Sequence, residues 1–148
     1  MKLLIASDHA GLELKEALKI RASDLGVTFI DLGTHSKDSV DYPDYAHDLA
    51  RELLKPGASA SLGILICGSG VGVSIAANRH PEIRAVLAES PEIARLGREH
   101  NHANVLCLGA RFLTPEQAME VIRAFLTATP DSGERHVRRV QKLGEQQK

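Results

Sequence analysis

The chain has 148 residues, 43% of them hydrophobic and 25% charged, with 18 lysines and arginines against 19 aspartates and glutamates. That length holds one ordinary domain, residues 1–148, and the net charge of -1 excludes a general electrostatic field for nucleic acid or an anionic membrane. Any anion recognised by such a chain must be met by a few placed groups.

In chain order, "KLLIAS" reads as a short buried strand, and "GLELKEALKIRASDLG" carries Leu12, Leu18 and Leu25 at helical spacing until Gly26 closes it. "VTFIDLG" is a second strand, "DYPDYAHDLARELLK" a helix with proline in its first turn, and "LGILIC" a third strand. A glycine-rich turn leads into a helical "VGVSIAANR", followed by strand "IRAVLA", helix "SPEIARLGREH" and strand "ANVLCLG". "TPEQAMEVIRAFLTA" closes the series as a helix, with Thr114 as cap, Pro115 at its first position and Gln117 at the capping-box position.

Five strands, each followed by a helix, predict a mostly parallel sheet covered on both faces, a Rossmann-like α/β three-layer sandwich. Such sheets bind ligands beyond the carboxyl ends of their strands, which places scrutiny on the residues just after each one. From about residue 131 the pattern changes: "DSGERHVRRVQKLGEQQK" has a basic centre and only Val137, Val140 and Leu143 as a narrow apolar stripe. Residues 131–148 are therefore read as a C-terminal helical arm that packs across a partner, rather than as a frayed tail.

The opening "MKLLIAS" is interrupted by Asp8 and His9 before a secretory apolar core can form, and no other apolar run is long enough to span a bilayer. The two cysteines, Cys67 and Cys107, each follow an apolar run without metal-ligand spacing, which argues against a disulfide framework and against zinc. The expected compartment is the cytoplasm, with both thiols reduced and no metal or cofactor.

The richest stretch is "ILICGSGVGVSIAAN". Gly68, Gly70 and Gly72 alternate, which is neither the G-x-G-x-x-G dinucleotide fingerprint nor a Walker loop with its terminal Gly-Lys-Ser/Thr. A phosphatase loop would need arginine six positions after Cys67, where Val73 stands. What the spacing offers is a turn that directs several backbone N–H groups at one oxyanion, with a helix N-terminus behind it. The same setting raises the thiolate fraction of a cysteine at its mouth. Cys107 lies inside "VLCLG" with no such nest and reads as a small buried hydrophobe.

Asp8 and His9 follow the first strand, where a receiver domain also has acidic residues, but the aspartate such a domain needs after the third strand is replaced by Cys67. Asp8 suits a sugar hydroxyl and His9 a phosphate or hydroxyl; a helix cap or turn residue is the equally available bland reading. His100 and Asn101, in "EHNHANV", supply a proton donor and a fixed hydrogen-bonder for a polyol. His35, His47, His80 and His136 have no comparable context and read as surface or capping residues. Arg135, Arg138 and Arg139 could clamp a phosphate or form a solvated basic face.

Taken together, "SDHAG", "DYPDYA", "GILICGSGVGVSIAANR", "REHNHANVLCLGAR" and "GERHVRRV" resemble, in order and spacing, the RpiB/LacAB sugar-phosphate isomerase family over nearly the whole chain. The resemblance implies interconversion of ribose 5-phosphate and ribulose 5-phosphate in the pentose phosphate pathway, without a metal, with six-carbon phosphates of allose or galactose as the alternative within the family. It implies that Cys67 moves a proton between C1 and C2, that Ser69 and the amides of Gly68, Gly70, Val71 and Gly72 stabilise the enediolate, and that His100 assists ring opening. Asp8, His9, Tyr42 and Asn101 would position hydroxyls, and Arg111, Arg135 and Arg139 would hold phosphate or close the site. Members of the family are homodimers whose sites draw on both subunits; pairing of dimers into tetramers is left open. A non-catalytic sugar-phosphate-binding module is the rival from another class. Ser69 stands where many relatives carry threonine, which keeps the hydroxyl and frees its rotamer.

Overall fold

Strand β1 (Lys2–Ser7) is buried along all but its first residue and pairs in parallel with β2 (Thr28–Asp31) on one side and β3 (Gly63–Cys67) on the other. A computed structural model describes residues 1–145, and in it β5 (Val105–Gly109) pairs with β3 while β4 (Ala85–Leu87) forms the far edge. The sheet order is β2-β1-β3-β5-β4, all parallel. The winding order of the chain reverses between β1 and β3, so the crevice for a ligand opens there, at the carboxyl ends.

Side-chain alternation along the strands supplies two cores. Leu3 and Ile5 of β1, Ile64 and Ile66 of β3, and Leu106 and Leu108 of β5 meet α1 (Leu12–Ile20), α5 (Pro91–Asn101) and α6 (Pro115–Thr127). Leu4 and Ala6, Leu65 and Cys67, and Val105 and Cys107 face α3 (Tyr42–Leu54) and α4 (Val71–Ala77) on the other side. Each fully buried leucine or isoleucine contributes roughly 1.5–3 kcal/mol against exposure, and both strand faces being covered explains why the strands read as continuous apolar runs.

The helix expected to run unbroken to Leu25 breaks at Arg21, whose φ of -101° and ψ of 17° separate α1 from a short α2 (Ala22–Leu25). Ala22 and Leu25 still reach the core, so the apolar period continues through the break and conceals it. The capping box of α6 forms as expected: Thr114 Oγ1 accepts from the Gln117 amide at 3.2 Å, and Gln117 Oε1 accepts from the Thr114 amide at 2.9 Å.

The C-terminal arm is helical over α7 (Glu134–Leu143), and residues 146–148 of the expected arm lie outside the described residues. Within the chain α7 lies on α5, and the side chain it buries is His136, while Leu143 of the expected stripe is 59% exposed. His136, read from sequence as a surface or capping residue, is thus a packing residue. His47 and His80 likewise pair, with Nδ1 and Nε2 2.9 Å apart.

Candidate active site

Four chain segments converge at the carboxyl ends of β1, β3 and β5. Cys67 ends β3 and is 4% exposed, and the Gly70 amide donates to its Sγ at 3.2 Å. Gly70 has φ +78°, a left-handed conformation that a side chain resists, and a Cβ there would stand 2.5 Å from Leu87 and 2.9 Å from the Leu108 carbonyl carbon. The Val71 amide donates to Ser69 Oγ at 3.2 Å, which leaves the Ser69 hydroxyl proton free to donate. Two amides of the cradle are thus engaged within the loop, fewer free donors than the glycine spacing suggests.

Neighbouring side chains close in on this loop. The Tyr42 ring, at the first position of α3, lies over Gly72, where a Cβ would meet its Cζ at 2.5 Å. The Arg111 guanidinium, from the turn after β5, lies over Gly68, and the Arg111 amide donates to the Gly68 carbonyl at 3.0 Å. Asp8 follows β1, is 6% exposed, and accepts from the Gly11 amide through Oδ1 at 3.0 Å, so the turn-residue reading of Asp8 is correct. His9 Nδ1 accepts from the Val40 amide at 3.1 Å. That bond assigns the ring proton to Nε2, which leaves Nε2–H as the ring's donor.

His100, Asn101, Arg135 and Arg139 are not brought to this cluster in the same chain. Helix α5 carries the chain back from the carboxyl end of β4 to the amino end of β5, so His100 and Asn101, at its last two positions, stand at the opposite end of the strands. The length of β3 separates the two ends by about 13 Å, at the usual rise of a parallel strand. His100, Asn101, Arg135 and Arg139 are all exposed there.

A second cluster orders this amino-end group. The rings of His100 and His136 stack, with centroids 4.6 Å apart and planes 10° from parallel. Arg135 Nε donates to His136 Nε2 at 3.4 Å. Burial pushes the His136 pKa down, Asp131 opposes this, and the neighbouring His100, Arg135 and Arg139 push it down further. His102 takes φ 49° after α5 and bonds the Asp131 carbonyl through Nε2 at 2.7 Å. Arg84 Nε donates to the His102 carbonyl at 2.9 Å and Arg98 to the Ala103 carbonyl at 2.8 Å, pinning the turn that follows His100. A cavity of about 460 Å³ opens beside it, lined by Asn101, Arg84, Ile83, His80 and Leu143 among others.

Cys107 is fully buried, and burial, with Cys67 adding, pushes its thiol far above the ordinary range. Its role is packing. No group of three or more histidine, cysteine or acidic side chains able to hold a metal occurs among the described residues, and no helix among them is long and apolar enough to cross a membrane.

The family model described as Ribose/Galactose Isomerase matches residues 3–143. The probable ribose-5-phosphate isomerase B of Mycoplasma pneumoniae is 45% identical over 142 residues, 95% of this chain and 91% of the relative. The crystal structure of a ribose 5-phosphate isomerase from Thermotoga maritima superposes with a TM-score of 0.92 at 46% identity, covering 98% of each chain. Ribose-5-phosphate isomerase B from Mycoplasma genitalium, solved with bound ribulose 5-phosphate, gives a TM-score of 0.88 at 41% identity, covering 96% of this chain and 93% of that one.

Proposed function

We infer the activity of this chain from its membership and its site: it belongs to the ribose/galactose isomerase family, and it interconverts ribose 5-phosphate and ribulose 5-phosphate. The single observation that carries the reading is the Cys67 sulfur at the mouth of a loop whose Gly70 amide donates to it and whose Ser69 hydroxyl proton is free. Aldose–ketose isomerisation removes a weakly acidic proton beside a carbonyl, and the oxyanion that develops needs preorganised donors, each worth about 10²–10³-fold in rate. Cys67 takes the proton from C2 and returns it to C1, the hydroxyl proton passes from O2 to O1, and Ser69 and the remaining amides of Gly68 to Gly72 receive the enediolate charge. Asp8 and Tyr42 hold hydroxyls, and His9 Nε2–H and Arg111 donate to the phosphate or to a hydroxyl near it.

His100, Asn101, Arg135 and Arg139 act from a second copy of the chain. The support is geometric: in one copy they lie at the wrong end of the sheet, exposed, so a site containing both clusters requires a homodimer in which the amino end of one sheet faces the carboxyl end of the other. Val71 and Ile75, one turn apart on α4, are 46% and 52% exposed, and supply apolar surface beside the Cys67 loop for that contact. In the assembled site His100 assists furanose opening, Asn101 holds a hydroxyl, and the two arginines clamp phosphate. The composition and reduced cysteines fit the cytoplasm.

The experiment is isomerisation of a panel of aldose phosphates in the presence of a chelator, with the Cys67→Ala variant beside the wild type. Ribose 5-phosphate is turned over by the wild type, while the variant retains binding and loses turnover. Binding by the wild type without incorporation of solvent deuterium at C2 would make the protein a sugar-phosphate-binding module instead.

A further inference from the structure

Among the described residues Lys15 is the only fully buried lysine or arginine. It sits on α1 between the apolar residues Leu14 and Leu18, where its Nζ donates to Asp31 Oδ1 at 2.6 Å and to the Thr34 carbonyl at 2.6 Å. Taking an ammonium out of water costs far more than burying a methionine of similar volume, and a buried ion pair is often replaceable by apolar residues with no loss of stability. Stability alone therefore does not explain why this position holds a lysine. Its contacts do.

Thr34 and Gly33 extend the β1–β2 pairing beyond the strands: the Ser7 amide donates to the Gly33 carbonyl at 2.7 Å and the Thr34 amide to the Ser7 carbonyl at 2.8 Å. Ser7 immediately precedes Asp8. Asp31, held by Lys15, also accepts from the Gly33 amide at 2.9 Å. From the other side, the Lys15 amide donates to the Gly11 carbonyl at 2.9 Å, and Gly11 closes the Asp8 turn. One residue thus ties both flanks of the Asp8–His9 turn to the exit of β2.

We propose that Lys15 is a positioning residue for substrate binding, which through the Thr34 carbonyl and Asp31 fixes the turn presenting Asp8 and His9. The role rests on the isomerase reading above. Asp8 and His9 contact hydroxyls and phosphate that do not change in the reaction, so displacing them removes binding common to ground state and transition state, and the loss is read in KM.

The test is the double variant Lys15→Met/Asp31→Asn, which removes both charges while keeping side-chain volume and an acceptor for the Gly33 amide. The expected result is a circular dichroism spectrum and Tm like those of the wild type, with KM for ribose 5-phosphate raised about tenfold or more and kcat lowered less than about threefold. A folded double variant whose KM stays within about twofold of the wild type overturns the proposal. If the double variant does not fold, Lys15→Met alone, assayed at a temperature where circular dichroism shows it folded, decides by the same ratio. Lys19→Met removes the other ammonium on Asp31, which donates to Oδ2 at 2.7 Å, and leaves the Thr34 contact in place. Its KM stays at the wild-type level; a rise equal to that of Lys15→Met overturns the proposal by making the effect one of charge near Asp31. A wild type that fails to isomerise ribose 5-phosphate removes the functional reading, and this role with it, whereas an active wild type with an unmoved variant removes this role alone.

Discussion

Gly70→Ala, compared with Gly26→Ala, isolates what the Cys67 loop demands. Both glycines have positive φ, +78° and +66°, and a side chain in that region costs roughly 1–2 kcal/mol. At Gly26 a Cβ meets nothing within 4 Å, so this strain is the whole cost. At Gly70 the same Cβ would stand 2.5 Å from Leu87 Cδ1, 2.9 Å from the Leu108 carbonyl carbon and 3.1 Å from the Gly109 amide nitrogen. Two of these are backbone atoms of the central sheet region, which cannot rotate away, so overpacking of about 1–3 kcal/mol is added. Gly70→Ala should therefore lose about 3.5 kcal/mol, or about 7–14 °C in Tm, against about 1.5 kcal/mol, or about 3–6 °C, for Gly26→Ala. Thermal unfolding by circular dichroism measures the difference. The loop carrying the amide that faces Cys67 Sγ must shift in Gly70→Ala, and kcat falls by about 10²-fold, as for other displacements near 1 Å, while Gly26→Ala keeps wild-type kinetics. Equal Tm losses in the two variants, or full activity in Gly70→Ala, would refute the reasoning.

Other consequences are equally direct. His136→Ala removes the ring stacked on His100 and should lower kcat about tenfold, while His136→Phe, which keeps a stacked ring, should stay within about threefold; identical kinetics for both would deny the stack a role. Iodoacetamide followed by mass spectrometry should modify Cys67 and leave Cys107 untouched until the protein is unfolded, because burial holds Cys107 as a thiol. Burial pushes the Asp31 carboxyl up, but hydrogen bonds from Lys15, Lys19 and the Gly33 amide outweigh it and leave its pKa below the ordinary 3.8. A carboxyl lowered in the folded state contributes stability above its unfolded value and loses it as pH falls through the lowered one, so Asp31→Asn should flatten the decline of Tm below about pH 5. Parallel declines for the variant and the wild type would contradict that assignment.

Much of this molecule is legible before folding because its signals are local. Period and turn residues place all five strands and the helices between them, and residue chemistry singles out Cys67 to Gly72 as a cradle. The contributions of Lys15 and His136 are not local: one depends on α1 lying beside the exit of β2, the other on α7 lying along α5. Nothing in "LELKEAL" separates Lys15 from a solvated helical lysine, since its partners are 16 and 19 residues away. The displacement of His100 and Asn101 from Cys67 was, by contrast, within reach. In a β-α-β alternation every helix returns the chain to the amino end of the sheet, so residues closing a helix cannot stand beside residues closing a strand. Residue chemistry grouped these side chains as one site, and only strand direction divides them.

The division itself provides the decisive measurement. Cys67→Ala and His100→Ala chains, each expected to lose most activity alone, are mixed, unfolded and refolded together, and assayed for conversion of ribose 5-phosphate. If Cys67 of one chain works with His100 of its partner, half of the dimers regain one intact site, and activity returns to about a quarter of the wild-type level at equal total protein. A mixture as inactive as its two components would contradict the shared site.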